Sequence, residues 1–311
     1  MVVDWLLDGD PAIRWQVLRD LEGAPPAAVA SERARVASEG WGAKLLASQA
    51  ADGRWGQAAW NRGWDSTMHV LWLLAHLGLD PKSPAAAAAI ERVRAHVTWR
   101  GAGPPECDDH PFFAGELEPC INGQVAMAGA YFGQDVSPLI QRLLSEQLAD
   151  GGWNCDAPHE STHSSFNTTI CVLEALLQYE RTGGRIPTEA ARARGQDYLL
   201  ERRLGLRRST GEPIAADRKS GHAWRQFAFP GWWHYDVLRG LDYLAQAGAT
   251  PDARGDEAVA LAVSRRGADG RWPLDAAHAG TMPIDLGERV GQPSRWNTLR
   301  ALRALRWYER R

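Results

Sequence analysis

Along most of the chain apolar residues recur every three to four positions, as in Val70, Leu73, Leu74 and Leu77 of MHVLWLLAHLGL and Val172, Leu173, Leu176 and Leu177 of ICVLEALLQYE. That period lines up one face of a helix, whereas no segment shows the strict apolar–polar alternation of a half-buried strand. Gly with a following Pro closes several runs, at Gly78 and Pro81, Gly133 and Pro138, Gly183 and Pro187, and Gly248 and Pro251. Gly takes up the left-handed cap and Pro cannot continue the hydrogen-bond ladder, so both end helices. The pattern predicts an all-α protein made of helical hairpins.

Two kinds of helix alternate. About six are apolar: AIRWQVLRDLEG, MHVLWLLAHLGL, CINGQVAMAGAYFG, FNTTICVLEALLQYE, WHYDVLRGLDYLAQAG and RWNTLRALRALRWYE. Between them run more polar helices such as AAAAAIERVRAHV and TEAARARGQDYLLERR. A helix that is apolar all round is buried and an amphipathic one covers it, so the alternation predicts concentric inner and outer layers. Three segments also repeat: LLASQAADGRWGQ, LLSEQLADGGWNCD and LAVSRRGADGRWPLD each join an amphipathic helix to Ala-Asp-Gly-x-Trp, with the indoles at Trp55, Trp153 and Trp272. An apolar helix opening with small polar residues follows each copy, and such self-similarity marks a repeated hairpin unit.

Gln49-x-x-x-Gly53-x-Trp55 and Gln147-x-x-x-Gly151-x-Trp153 resemble the QW motif of squalene-hopene cyclases and related terpenoid cyclases; the third copy has Arg266 in place of Gln. The resemblance implies one α/α toroid over residues 1–311, an α6/α6 barrel of helical hairpins, as in terpenoid cyclase domains and the β subunits of protein prenyltransferases. In physical terms the motif is structural. Gly permits the turn that ends the outer helix, Gln can bond helix-end backbone groups, and Trp packs over the seam.

Composition narrows the partners. With 44% hydrophobic and 23% charged residues the 311-residue chain can build a substantial core, and a net charge of -3 draws it to neither nucleic acid nor an anionic membrane. Four cysteines without a C-x-x-C pair suit a reducing compartment. Asp4, Asp8 and Asp10 interrupt the N-terminus where a signal peptide would be apolar, and no apolar run reaches membrane-spanning length, so a cytoplasmic protein is expected. Fifteen Trp residues fit a cavity lined or plugged by indoles. The 32 Arg against 3 Lys record a compositional bias and weaken the meaning of any single Arg.

In a closed ring the loops leading into the inner helices meet at one mouth. Candidate residues cluster there: Trp64, Asp65, Ser66, Thr67 and His69; Cys120, Asn122 and Gln124; Phe166, Asn167 and Thr168; Trp232, Trp233, His234, Tyr235 and Asp236; and Arg295, Trp296 and Asn297. Taken singly, Asp, Ser, Thr and Asn at these places also serve as helix N-caps. Together with the aromatics they outline an apolar cavity with a polar rim, suited to a greasy small molecule with one polar end. Trp64, Phe166, Trp233, Asn122 and Asn167 are its expected lining, and His234, Tyr235, Asp236 and Asp65 its candidate catalytic groups.

The cyclase branch implies an Asp-x-Asp-Asp acid, which is absent. The nearest string, Glu106-Cys107-Asp108-Asp109, puts Asp109 forward but lies in a Pro- and Gly-rich loop where four polar residues are expected to be solvated. The prenyltransferase branch implies a zinc ion held by Asp, Cys and His. Its Asp-x-Cys pair is missing here, and Cys120, Cys155 and His234 are the candidate ligands, with Asp156, His159, His163, Cys107 and His110 in the same loops; Cys171 lies mid-helix in an apolar stripe and is expected in the core. A diphosphate would draw on Arg218, Lys219, His222 and Arg225, or on Arg295. The expected function is a terpenoid cyclase- or prenyltransferase-like enzyme acting on an isoprenoid or other hydrophobic small molecule. The alternatives are a toroid that binds a ligand or partner without catalysis, and a toroid enzyme for a non-isoprenoid substrate such as a polyuronate, against which the repeats argue.

Overall fold

Among the described residues thirteen α-helices form, including the six apolar ones that the periodicity marks. In chain order they are α1 (Val2–Leu7), α2 (Pro11–Asp20), α3 (Pro26–Ala34), α4 (Gly40–Ala47), α5 (Thr67–Leu77), α6 (Pro84–His96), α7 (Pro119–Tyr131), α8 (Ser137–Ser145), α9 (Phe166–Arg181), α10 (Glu189–Glu201), α11 (Val237–Gln246), α12 (Asp256–Ser264) and α13 (Arg295–Tyr308). This computed structural model describes residues 1–156, 161–214 and 223–311. Among the described residues only isolated β-bridges occur, without a strand, and no helix is long and apolar enough to cross a membrane. The fold is all-α.

The chain divides into two compact units: Ala30–Gly195 with Ala279–Asp285, and Met1–Val29 with Gln196–His278 and Leu286–Arg311. In the first unit α5, α7 and α9 are buried almost all round and lie side by side in that order. The outer helices α4, α6 and α8 bury only a stripe, Ala86, Ala89, Ile90 and Val93 in α6 and Leu139, Ile140 and Leu143 in α8. The tightest seam joins α7 to α9. A Cβ on Gly123 would stand 2.8 Å from the main-chain carbon of Cys171, so only Gly lets the two backbones approach so closely.

In the second unit α11 packs on α13 and α12, and α13 packs on α2, so the first and last inner helices of the chain are neighbours. The helices that the sequence marks as apolar, α2, α11 and α13 here and α5, α7 and α9 in the other unit, are the most buried among the described residues.

The repeated Gly-x-Trp segments are latches of one design. Each indole is at most 2% exposed, and its Nε1 donates to the carbonyl ten residues earlier in the preceding outer helix: Trp55 to Leu45 at 2.8 Å, Trp153 to Leu143 and Trp272 to Ala262 at 2.6 Å. The main-chain N–H of each Trp donates to a threonine at the start of the next inner helix, Thr67, Thr169 or Thr298, at 3.2, 3.0 and 3.0 Å. Gln49 Nε2 donates to Gly53 O and to Ala89 O of α6, and Gln147 Nε2 repeats this with Gly151 O and Ala191 O of α10. Gly53 and Gly151 sit at φ +83 and +95 with the carbonyl oxygens of Arg92 and Arg194 only 2.6 and 2.7 Å from where a Cβ would stand. A side chain there would be strained by φ and blocked by backbone. In the third copy Arg266 takes over the Gln position, donating to Gly270 O at 3.3 Å and lying over the Trp272 ring. Each latch thus satisfies orphan carbonyls at an outer-helix end and fixes the approach to an inner helix.

Candidate functional site

The latch after α8 delivers a cysteine. Trp153 is anchored, and two residues on Cys155 is half-buried with its Sγ 3.3 Å from the hydroxyl of Thr168, the residue before the latch threonine of α9. A second cysteine arrives from the start of α7. Pro119 occupies the first turn, where its missing N–H costs nothing, and Cys120 follows it, 7% exposed. Glu118 is the N-cap residue, and the Cys120 thiol points to its Oε2 at 3.7 Å. The ligand-type atoms of Glu118, Cys120 and Cys155 all lie within 4.8 Å of one another.

The arm carrying Glu118 and Cys120 is braced. Asn122, fully buried, accepts from the Glu116 N–H at 2.8 Å and donates to the Glu116 carbonyl at 2.9 Å. Arg142 of α8 donates to the carbonyls of Glu116 and Leu117 at 2.6 and 2.9 Å. Asn122 therefore shapes the turn before α7. The neighbouring Cys155 thiol, followed by burial, pushes the Cys120 thiol well above the usual range. A bound cation reverses that preference, because it stabilises thiolate directly.

Two thiols and a carboxylate are suitable donors for zinc. Zinc–sulfur bonds of about 2.3 Å place two sulfurs on one ion roughly 4 Å apart, which a cluster confined to 4.8 Å meets. The residues fit the ion. Three protein donors leave a fourth tetrahedral position for water or substrate, the arrangement of catalytic rather than closed structural sites.

Glu118 is the donor that the sequence reading passed over. His234, the third ligand expected there, belongs to the other unit, where its ring stacks on Trp233 at 3.6 Å between centroids and on His278 at 3.8 Å. Its neighbours hold the backbone: the Tyr235 hydroxyl, fully buried, donates to Leu204 O at 2.8 Å, and burial pushes the phenol well up. Asp236 caps α11 by accepting from Arg239 N at 2.7 Å and also accepts from Ala228 N at 3.2 Å.

That unit encloses a charge network instead of a purely apolar interior. Arg300 lies 3.6 Å from Asp236 and 3.9 Å from Asp242; Arg303 lies 2.9 Å from Asp242 and 3.0 Å from Asp20. Arg239 Nη1 donates to the carbonyls of Trp232 and His234 at 2.8 and 2.6 Å. Arg295 donates to Trp5 O at 3.2 Å with its guanidinium over the Trp5 ring, while Arg225 contributes its carbonyl to Arg265. Arg218, Lys219, His222 and His159 lie outside the described residues.

The remaining candidates are dispersed. Trp64 donates from Nε1 to Ala279 O at 3.0 Å and meets His69 edge-on; the Ser66 hydroxyl and His69 Nδ1 share a 2.8 Å hydrogen bond, and burial pushes His69 down to about 3, so it is neutral at physiological pH. Asp65 accepts from Asn61 at 2.8 Å. Phe166 and Asn167 open α9 and are buried. Asp109 is exposed and paired with Arg100, and Asp108 accepts from Gly101 N, but Cys107 in the same string is fully buried, so the expectation of four solvated residues fails at the thiol, which packs as a small apolar group.

No family model matches the chain, and no curated protein matches it. Among solved structures it is similar to a protein from Actinoplanes at 19% identity, covering 99% of this chain and 97% of that one, with a TM-score of 0.49. It is also similar to the type II terpene cyclase MstE from Scytonema: to a variant with its substrate geranylgeranyl dihydroxybenzoate at 17% identity and TM-score 0.46, and to an apo variant at 18% and 0.44. Both alignments cover 96% of this chain and 86% of that one.

Proposed function

We propose that the chain closes as a single α/α toroid of the terpenoid cyclase and prenyltransferase type and acts on an isoprenoid or other hydrophobic small molecule, with a zinc ion on Cys120, Cys155 and Glu118. The observation that carries this is the convergence of those three donors, Cys155 just after the Trp153 latch with Glu118 and Cys120 at the start of α7, where the ring would open its mouth. The three latches, which match the QW motif in Gly and Trp and in two copies also in Gln, support the toroid.

Zinc in such a site would supply Lewis acidity and a bound nucleophile, thiolate or hydroxide, at neutral pH. The chain's own residues do the rest. Asn122 and Arg142 hold the Glu118–Cys120 arm, and Thr168 orients the Cys155 sulfur. Among the two branches the prenyltransferase type is favoured, because Glu106 and Asp109 are exposed, Asp109 is paired with Arg100, and a cyclase acid must be kept protonated by its surroundings. A second reading, a toroid that binds its ligand without turnover, is favoured by Tyr235 and Asp236, whose side chains bond the backbone.

Tryptophan fluorescence titration tests the ligand class. Farnesyl and geranylgeranyl diphosphates are expected to quench and saturate, more tightly than the free alcohols, with the difference reduced in Arg225→Ala. No response to any of the four compounds would overturn the isoprenoid assignment.

A further inference from the structure

We propose that Cys120 and Cys155 also form a reversible disulfide, so that oxidation of the pair switches the metal centre off. The consequence for the metal rests on the function proposed above; the disulfide itself stands on the thiol geometry. None of the four cysteines is bonded to another, and their surroundings differ. Cys107 and Cys171 are fully buried and sit outside the cluster, whereas Cys120 and Cys155 bring their sulfurs within 4.8 Å. A disulfide spans about 2.05 Å between sulfurs, so the pair must close by up to roughly 3 Å. Cys155 lies in a turn rather than a helix.

Exposure sets the order of events. Cys155 is the half-buried member and the one a solute reaches first, while Cys120 behind it is 7% exposed. With a low-molecular-weight disulfide as oxidant, the Cys155 thiolate attacks one sulfur, forms a mixed disulfide and expels one small thiolate. Cys120 then attacks the Cys155 sulfur, releases its proton to solvent and expels the second small thiolate. Two protein thiols are oxidised and one small disulfide is reduced to two thiols. Zinc needs both sulfurs as thiolates, so disulfide and metal exclude each other.

The test is oxidation of the full chain by oxidised glutathione, with and without zinc, then alkylation, intact mass and peptide mapping. Metal-free protein is expected to lose two of its four free thiols, to show one Cys120–Cys155 linked peptide and to recover all four with dithiothreitol. Cys120→Ser should instead stop at a glutathione adduct on Cys155, and zinc added beforehand should suppress the linked peptide. A wild-type chain that accumulates the Cys155 adduct without the link would overturn the disulfide, and a link that forms equally with zinc present would overturn the switch. The wild-type map decides the first point even if the variant fails to fold. Because none of these readouts involves an isoprenoid, failure here and failure of the proposed function are separable.

Discussion

Replacing Trp153 by Ala is expected to lower the unfolding free energy by about 3 to 5 kcal/mol, the range for deleting a fully buried aromatic side chain. Trp153 is 0% exposed, and its indole occupies the seam beside Gly195 and Leu143, so little can collapse into the space it leaves. The substitution also strands the Leu143 carbonyl, adding about 1 to 3 kcal/mol if no water reaches it. Trp153→Phe should recover most of the buried area but not the hydrogen bond. Urea unfolding checks this: the midpoint should fall with an unchanged slope, and ligand affinity measured below the transition should hold. A loss of under about 1 kcal/mol would mean that the latch is decorative.

Asp242→Ala is expected to cost a similar amount, about 3 to 5 kcal/mol, for a different reason. Asp242 is 8% exposed and faces both Arg300 and Arg303, themselves nearly buried, so removing the carboxylate takes their shared partner and leaves Arg300 with Asp236 alone and Arg303 with Asp20 alone. The exposed Arg100–Asp109 pair is the control, and Asp109→Ala should change stability by no more than about 1 kcal/mol. Trp153 and Asp242 lie in different compact units. If the proposed toroid is one cooperative domain, both variants shift the same single transition; two separate transitions would count against it.

The layering was legible because it depends on period. Leu73, Leu74 and Leu77, or Val172, Leu173 and Leu176, mark helices that must be buried whatever surrounds them. The latches were legible because three copies of Gly-x-Trp needed the same turn and the same seam. Cys120 and Cys155 were legible as candidates because Cys120 opens an apolar inner helix and Cys155 directly follows the second latch, in the loop before another. Glu118 was not, since a carboxylate before Pro119 reads as a solvated cap and nothing in its spacing shows that the α7 start turns it toward Cys155. Arg239, Arg300 and Arg303 stayed hidden in a chain of 32 Arg, where burial and pairing depend on helix neighbours and not on pattern. Tyr235 and Asp236 stood out by residue type, whereas their bonds to Leu204 O and to the α11 start depend on local backbone demands that a sequence pattern does not display.

The proposed metal centre on Glu118, Cys120 and Cys155 is tested most directly by titrating the reduced protein with cobalt(II), a spectroscopic stand-in for zinc. Saturation near one equivalent is expected, with thiolate-to-cobalt charge transfer and tetrahedral ligand-field bands, both collapsing in Cys120→Ser and Cys155→Ser and weakened in Glu118→Gln. Binding well under one equivalent, or a spectrum that survives loss of either cysteine, would contradict it.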